Sequence, residues 1–328
     1  MARHSRDAFR LALMSACIIL PVWMTMRTVH ASPPWAPAAP NPTPFGYSVS
    51  LVLFLVPVIV IGIWHQLRPL DSAHRRAFWW SAALVGAAGF VLDIGFGYEF
   101  FQFRNPDATL GIRVAAWSFS DRGWIVHYLP IEEFGFYVLG GLFVVSLYSW
   151  ADGNWLNTFS PSQRSEVARW QERIVNFSPS AAVLAVVLVA LGFWVKSHDT
   201  AHPGIPGYYL FLVTVAFVPG LLVLRGVELF INWRAFGFAY SALLLISLLW
   251  EVTLALPYQW WDYKPEHMLG IRILAWSNLP LEAVMVWLMV TWDTIIAFEV
   301  IRVGLYMGRS TRHALFGTSA RQSTAVVR

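Results

Sequence analysis

Long apolar runs, broken by short polar stretches that carry arginine, set the rhythm of this chain. Eight of them reach or approach the roughly 20 residues that a helix needs to cross a bilayer. They lie at 8–27, 47–67, 76–98, 128–150, 178–195, 207–227, 235–256 and 279–302. The pattern predicts an all-α, polytopic membrane protein with about eight transmembrane helices. The first run contains Pro21, which a membrane helix tolerates when the freed carbonyl finds another partner. Its basic start and the Ala31-Ser32-Pro33 that follows resemble a signal peptide, but Pro33 and Pro34 stand where cleavage would be read. The helix is therefore expected to be retained, followed by a Pro- and Ala-rich external loop over 31–46.

Composition agrees with this pattern. Of 328 residues, 57% are hydrophobic and 13% are charged, against about a quarter charged in a soluble domain. Sixteen of the 23 basic residues fall in segments that would be cytoplasmic if the N-terminus is. That bias places both termini inside and the site, described below, near the non-cytoplasmic leaflet of the inner membrane. With arginines spread between spans and at the ends, the net charge of +4 points to no nucleic-acid partner. Cys17 is the single cysteine, which excludes a disulfide framework and cysteine-rich metal sites. HEXXH, CXXC, P-loop and GXGXXG patterns are absent, so no metal and no cofactor is expected. His198 and His202 read as a solvated loop, His65 and His74 as surface, and the tail from Gly308 as disordered.

One stretch occurs twice. Residues 97–138, GYEFFQFRNPDATLGIRVAAWSFSDRGWIVHYLPIEEFGFYV, return in part as PYQWWDYKPEHMLGIRILAWSNLPLEAVMVW over 257–287, with Gly111 and Gly270 159 positions apart. This divides the chain into an N-terminal helix and loop (1–46), a three-helix unit (47–150) and a connecting loop and helix (151–206). A second three-helix unit (207–302) and a cytoplasmic basic tail (303–328) follow. The units begin four crossings apart, an even number, so they are expected to be parallel repeats about an axis along the membrane normal.

Carboxylates collect at one depth. Asp93 and Glu99 end one helix, Glu132 and Glu133 open the next, Glu251 ends another and Glu282 opens the last. Proline at the first helical position followed by glutamate is an ordinary helix start. Duplication at one depth, and the expense of ionisable groups in a membrane, favour a site. Glu132 and Glu133 are about 100° apart on their helix, so one is expected to face a cavity while the other pairs with Arg113 or His127. A glutamic acid kept protonated can give its proton to a weakly basic substrate. Ala283 stands where Glu133 stands in the first copy, which implies an asymmetric site with Glu282 and Glu251 in supporting or base roles. Arg113 and Arg272 read either as structural ties or as electrostatic tuners. Asp262 could pair with Lys264 or Arg272. Trp117 and Trp276, each in an AWS triplet, join Tyr98, Phe134, Tyr137, Trp261 and Trp287 as rings that could line a cation site. The alternative for these rings is an interfacial aromatic belt.

In this order, and duplicated, these motifs resemble the membrane-bound lycopene cyclase family, the flavin-independent class of carotenoid cyclases. Phe103, Asn105-Pro106, Thr109-Leu110-Gly111-Ile112-Arg113 and Leu129-Pro130-Ile131-Glu132-Glu133 match its first unit. Asp262-Tyr263, Leu269-Gly270-Ile271-Arg272 and Leu279-Pro280-Leu281-Glu282 match its second. The resemblance covers roughly two thirds of the chain. It implies a redox-neutral reaction: an acid protonates the terminal double bond of a linear end group, the neighbouring olefin closes on the cation, and proton loss leaves a β-type ring. It implies Glu133, or a Glu132/Glu133 unit, as the acid, with Glu282 or Glu251 taking or relaying the proton and Asp93 nearby. The substrate would be a long apolar polyene or prenyl chain entering from the lipid; a homo-oligomer is compatible with this. The chain departs from the family at Ala283, in an insert holding Asp121, Arg122 and His127, and in the extra first helix. Those departures are compatible with a one-ended cyclase, or with a relative that cyclises or hydrates another prenyl or terpenoid chain, and membrane carboxylates in repeats also suit a proton-coupled transporter.

Overall fold

The computed structural model describes residues 44–317 except 68–69, 121–122, 158 and 275, together with isolated positions between 12 and 23. The expected span 8–27, the loop that follows it and the tail beyond residue 317 fall largely or wholly outside the described residues. Among those described, seven helices are long and apolar enough to cross a membrane: α1 (Gly46–Leu67), α2 (Ser72–Phe100), α3 (Ile131–Trp155), α5 (Pro179–Lys196), α6 (Gly207–Val227), α7 (Trp233–Ala255) and α8 (Leu281–Met307). Two short helices, α4 (Pro161–Trp170) and α9 (Thr311–Phe316), lie between and after them. The protein is a helical, polytopic membrane protein.

Local chemistry sets the helix ends. α2 begins four residues before the apolar run because Asp71 caps it, accepting from the amides of Ala73 and His74 at 3.0 Å each. Asn232 caps α7 through Ala235 N at 3.2 Å. Ser160 and Gln163 form a reciprocal capping box on α4, and Gly308, at φ +66°, closes α8 in the left-handed conformation that glycine adopts freely. Three spans contain a π turn: Ala151–Trp155 ends α3, Leu212–Phe217 interrupts α6, and Glu251–Ala255 ends α7.

α3 starts at Ile131 rather than residue 128, because the residues before it are strand. The insert between LGIR and LPIEE belongs to a hairpin, β2 (Arg113–Ser120) against β3 (Gly123–Pro130), in register from Arg113↔Pro130 to Ser120↔Gly123. Backbone polar groups outside helices must find partners, and the hairpin supplies them. The second copy keeps a two-residue remnant, β5 (Arg272–Ile273) on β6 (Leu279–Pro280). β1 (Phe101–Gln102) pairs with β4 (Asp262–Tyr263) and joins the loops of the two halves. All three pairs lie on one face of the bundle, here the hairpin face; α4 and α9 lie on the opposite face.

The core forms where α3, α7 and α8 meet α1, with Phe54, Phe143, Trp250 and Phe298 each at most 1% exposed. α5 is peripheral, and only Gly192 and Lys196 of its residues are buried.

Candidate functional site: two acid-bearing helix starts and an apolar chamber

The two LGIR turns are built alike. Gly111 (φ +75°) and Gly270 (φ +91°) take the left-handed conformation that reverses the chain. The amides of Ile131 and Leu281 then donate to the carbonyls of Ile112 and Ile271 at 2.9 and 3.0 Å. One carboxylate oxygen of each helix start reaches back to the turn: Glu132 Oε1 accepts from Leu110 N at 2.6 Å, and Glu282 Oε1 accepts from Leu269 N at 2.5 Å. Ser48 also donates to Glu132 Oε1. Glu132 and Glu282 therefore hold loops in place. Neither Arg113 nor His127 pairs with a glutamate, against expectation. Arg113 is exposed, and His127 bonds Ser118 and stacks on Tyr98 at 3.4 Å. Arg272 reaches only the carbonyl of Asn278, at 3.4 Å.

Beyond these clamps lie three sealed carboxyls. Glu133 Oε2 accepts from Tyr47 at 2.6 Å. Glu251, placed by the π turn of α7, accepts from Tyr263 Oη and Trp287 Nε1, both at 3.0 Å. Burial first, then the charge of Glu251, raise the Tyr263 phenol well above its ordinary pKa, so tyrosine stays the donor. Asp93 is 2% exposed, and neither of its oxygens has a hydrogen-bond partner among the described residues. Asp93 and Glu133, and Glu133 and Glu251, lie near enough for their charges to act on one another. Among the described residues, no Lys or Arg forms an ion pair with any of the three.

Asp93 faces an elongated chamber of about 420 Å³ bounded by α2, α3, α6 and α8. Its lining on α2 runs from Leu84 to beyond Gly97, about 20–25 Å at 1.5 Å per residue. The walls are apolar and aromatic, with Phe101, Phe136, Tyr137, Tyr208 and Trp287 toward the hairpin face. Asp293 is the other carboxyl in the lining; twelve residues into α8, it sits about 8 Å deeper than Asp93 by the same helical rise. Sequence reasoning passed over Asp293, which stands alone in an apolar run, and over Tyr47 and Tyr208; it quoted Tyr263 as part of a motif without giving it a role. Only a comparison of how the spans begin, Gly46-Tyr47 and Gly207-Tyr208, could have singled out Tyr47 and Tyr208.

Of the rings expected to line a cation site, Tyr137 and Trp287 border the chamber. Trp117 and Trp276 do not: Trp117 lies in β2 and Trp276 in the turn after β5, 44% and 41% exposed. Phe134 packs beneath the hairpin, 4.6 Å from Phe90. Trp261 lies behind Tyr47 and against Trp250, at 5.1 and 4.5 Å. Tyr98 is sandwiched by His127 and by the Lys264 ammonium, 4.2 Å from its ring. Asp262 accepts from Gln102 at 3.2 Å and from Tyr263 N at 2.8 Å, not from Lys264 or Arg272.

A second, polar pocket of about 390 Å³ opens in the loops of the hairpin face, lined by Gln259, Asp262, Tyr263, Arg272, Ser277 and Asn278 among others. At the opposite end of the bundle, Arg164 bonds Asp152 (3.3 Å) and Glu299 (3.0 Å), and Arg302 bonds Asp152 (2.9 Å) and Glu299. Tyr148 donates to Glu299 at 2.6 Å and Asn232 to Asp152 at 3.0 Å. His74, expected at the surface, is buried here: its Nδ1 meets Arg302 at 3.3 Å and its Nε2 meets Ser149 at 2.6 Å. Because a guanidinium only donates, Nδ1 accepts and Nε2 carries the proton. Comparison with protein-family models, curated proteins and solved structures finds no match for this chain.

Proposed function

We propose that this protein is an intramembrane, redox-neutral cyclase that starts a carbocation reaction on the linear end group of a carotenoid, as the resemblance to the membrane-bound lycopene cyclases implies. The observation that carries this reading is Asp93: a buried carboxyl, free of any cation, on the wall of a long apolar chamber. An isolated carboxylate is too expensive to bury, so such a group stays protonated and is an acid in waiting. The Asp93–Glu133 pair is the acid, with Asp93 delivering the proton and Glu133 behind it, oriented by Tyr47. The neighbouring olefin closes on the cation, and the carboxylate just formed takes a different proton from the new ring, restoring the pair with no net consumption. Phe101, Tyr137, Tyr208 and Trp287 shield the cation, each aromatic face contributing about 0.5–2 kcal/mol. The chamber's length suits a polyene or long prenyl chain.

In this reading the two LGIR–LPxE halves are parallel repeats that arose by duplication. Each uses one glutamate, Glu132 or Glu282, to hold its loop, and only the first keeps the acid that follows it. The hairpin face is non-cytoplasmic, the termini are cytoplasmic, and the substrate enters from the inner-membrane lipid.

The test is expression in lycopene-accumulating cells with mass analysis of the extracted pigment. A ring-bearing product of unchanged mass is expected. Gain of one water would make the protein a hydratase, and unchanged lycopene would remove the carotenoid reading. Asp293, unpaired about halfway across the membrane, is the feature that favours a proton-coupled carrier instead. Substrate-dependent proton flux in vesicles without product would establish that alternative.

A further inference from the structure

We propose that the polar pocket on the hairpin face is a proton-exchange port, joined to the chamber's acids through Tyr263 and Glu251. The inference rests on the acid-initiated reading above and adds the route by which the acids equilibrate with water. Three sets of observations carry it. Asp93, Glu133 and Glu251 are 2%, 6% and 1% exposed, so none meets bulk water directly. Tyr263 stands between the compartments: it borders the polar pocket and donates to Glu251 at 3.0 Å, while Glu251 also accepts from Trp287, a chamber-lining residue.

The pocket is also a built feature. Gln259, Ser277 and Asn278 line it in the left-handed conformation, at φ 54°, 54° and 60°, which residues other than glycine and asparagine rarely adopt and which gathers at functional sites. One of them reaches the relay's own backbone. Ser277 Oγ donates to Val252 O at 2.7 Å, inside the π turn that places Glu251. π turns recur at functional sites for the same reason: they aim a side chain that regular winding would direct elsewhere.

The chemistry is a series of proton hops. A pocket hydronium gives a proton to Tyr263 Oη as Tyr263 passes its phenolic proton to Glu251 Oε2, and the reverse series returns the displaced proton to pocket water, so only O–H bonds form and break and no net charge accumulates. Glu251 hands the proton to Glu133, and Glu133 to Asp93. Tyr263 touches no substrate in this scheme; it acts through Glu251.

Cyclisation makes the port measurable, because the proton added to the chain and the proton lost from the ring are different atoms. In D2O, an acid that equilibrates with water between turnovers puts solvent deuterium into every ring. An acid cut off from water returns the hydrogen taken from the previous substrate. Wild type is therefore expected to give deuterated product. Tyr263→Phe, which removes one oxygen, is expected to lower the deuterium content of the rings while turnover continues, because each cycle restores its own acid. Glu251→Gln is expected to do the same one station further in. Equal deuterium content in wild type and both variants would overturn the port. A second measurement needs no turnover: the infrared carbonyl band of the buried carboxylic acids shifts when the purified protein is moved into D2O. Slower exchange of that band in Tyr263→Phe supports the port, and an unchanged rate overturns it whether or not a ring is formed.

Discussion

The two ends of the helical bundle bury carboxyls equally well and neutralise them in opposite ways. On the face opposite the hairpins, Asp152 and Glu299 are tied to Arg164 and Arg302, two charges of each sign. Toward the hairpin face, Glu133 and Glu251 receive only neutral donors, Tyr47, Tyr263 and Trp287, and Asp93 receives none. A paired carboxylate is locked in its ionised form and is of little use as an acid. A carboxyl offered phenol, indole or nothing can hold a proton and release it. The first arrangement stabilises an architecture, drawing α2, α3, α4, α7 and α8 together; the second is suited to chemistry.

The contrast can be broken or sharpened by substitution. The largest effect is expected from Asp93→Asn, with Glu133→Gln beside it: conversion should fall about 10²–10⁴-fold, the range for a lost general acid. Folded yield and melting in detergent should not change. A loss of fold in both would place these residues with the ion network instead. Arg302→Met should do the reverse, lowering stability by about 3–5 kcal/mol because Asp152 and Glu299 are left to share Arg164, with one buried negative charge uncompensated. The double variant Arg302→Met/Glu299→Gln, which removes one charge of each sign, should recover much of that loss in the same melt. Glu282→Ala should lose about 1–3 kcal/mol, since the buried Leu269 amide is then left without its acceptor, and Glu132→Ala should lose less, because Leu110 is half exposed and water can replace the carboxylate. The order of the two losses is the test, and abolished conversion without destabilisation would make either residue an acid after all. The smallest effect is expected from Asp293→Leu: unchanged melting or a gain of about 1 kcal/mol, because no partner is lost and an unpaired polar group leaves an apolar wall.

Apolar periodicity was enough to locate the seven described spans, since each helix in lipid must satisfy its own backbone and so declares itself by length. What lay outside that logic was missed. The β2–β3 hairpin is short and amphipathic, and its residues 128–130 were absorbed into the apolar run of α3. Arg164 and Arg302 were counted as solvated loop charges because charge counting cannot distinguish a cytoplasmic arginine from one facing a buried carboxylate. The level of the acids was legible from Pro-X-Glu and from its duplication, but not their division of labour. Sequence spacing could not separate Glu132, which holds Leu110, from its neighbour Glu133, which meets Tyr47. Trp117 and Trp276 misled because the repeated AWS triplet carries no direction toward the chamber: Trp117 stands within strand β2 and Trp276 in a turn.

The extra residue wound into α7 has a consequence for how this chain can vary. Regular α-helical winding turns about 100° per residue, so deleting one position from 251–255 would swing Glu251 away from Trp287 while leaving composition, hydropathy and span length almost untouched. Such a relative would pass every test of likeness by letters and still present a different side chain at that wall. Insertions and deletions of one residue in this turn, more than substitutions, are where relatives of this architecture would part ways in what they present to the chamber.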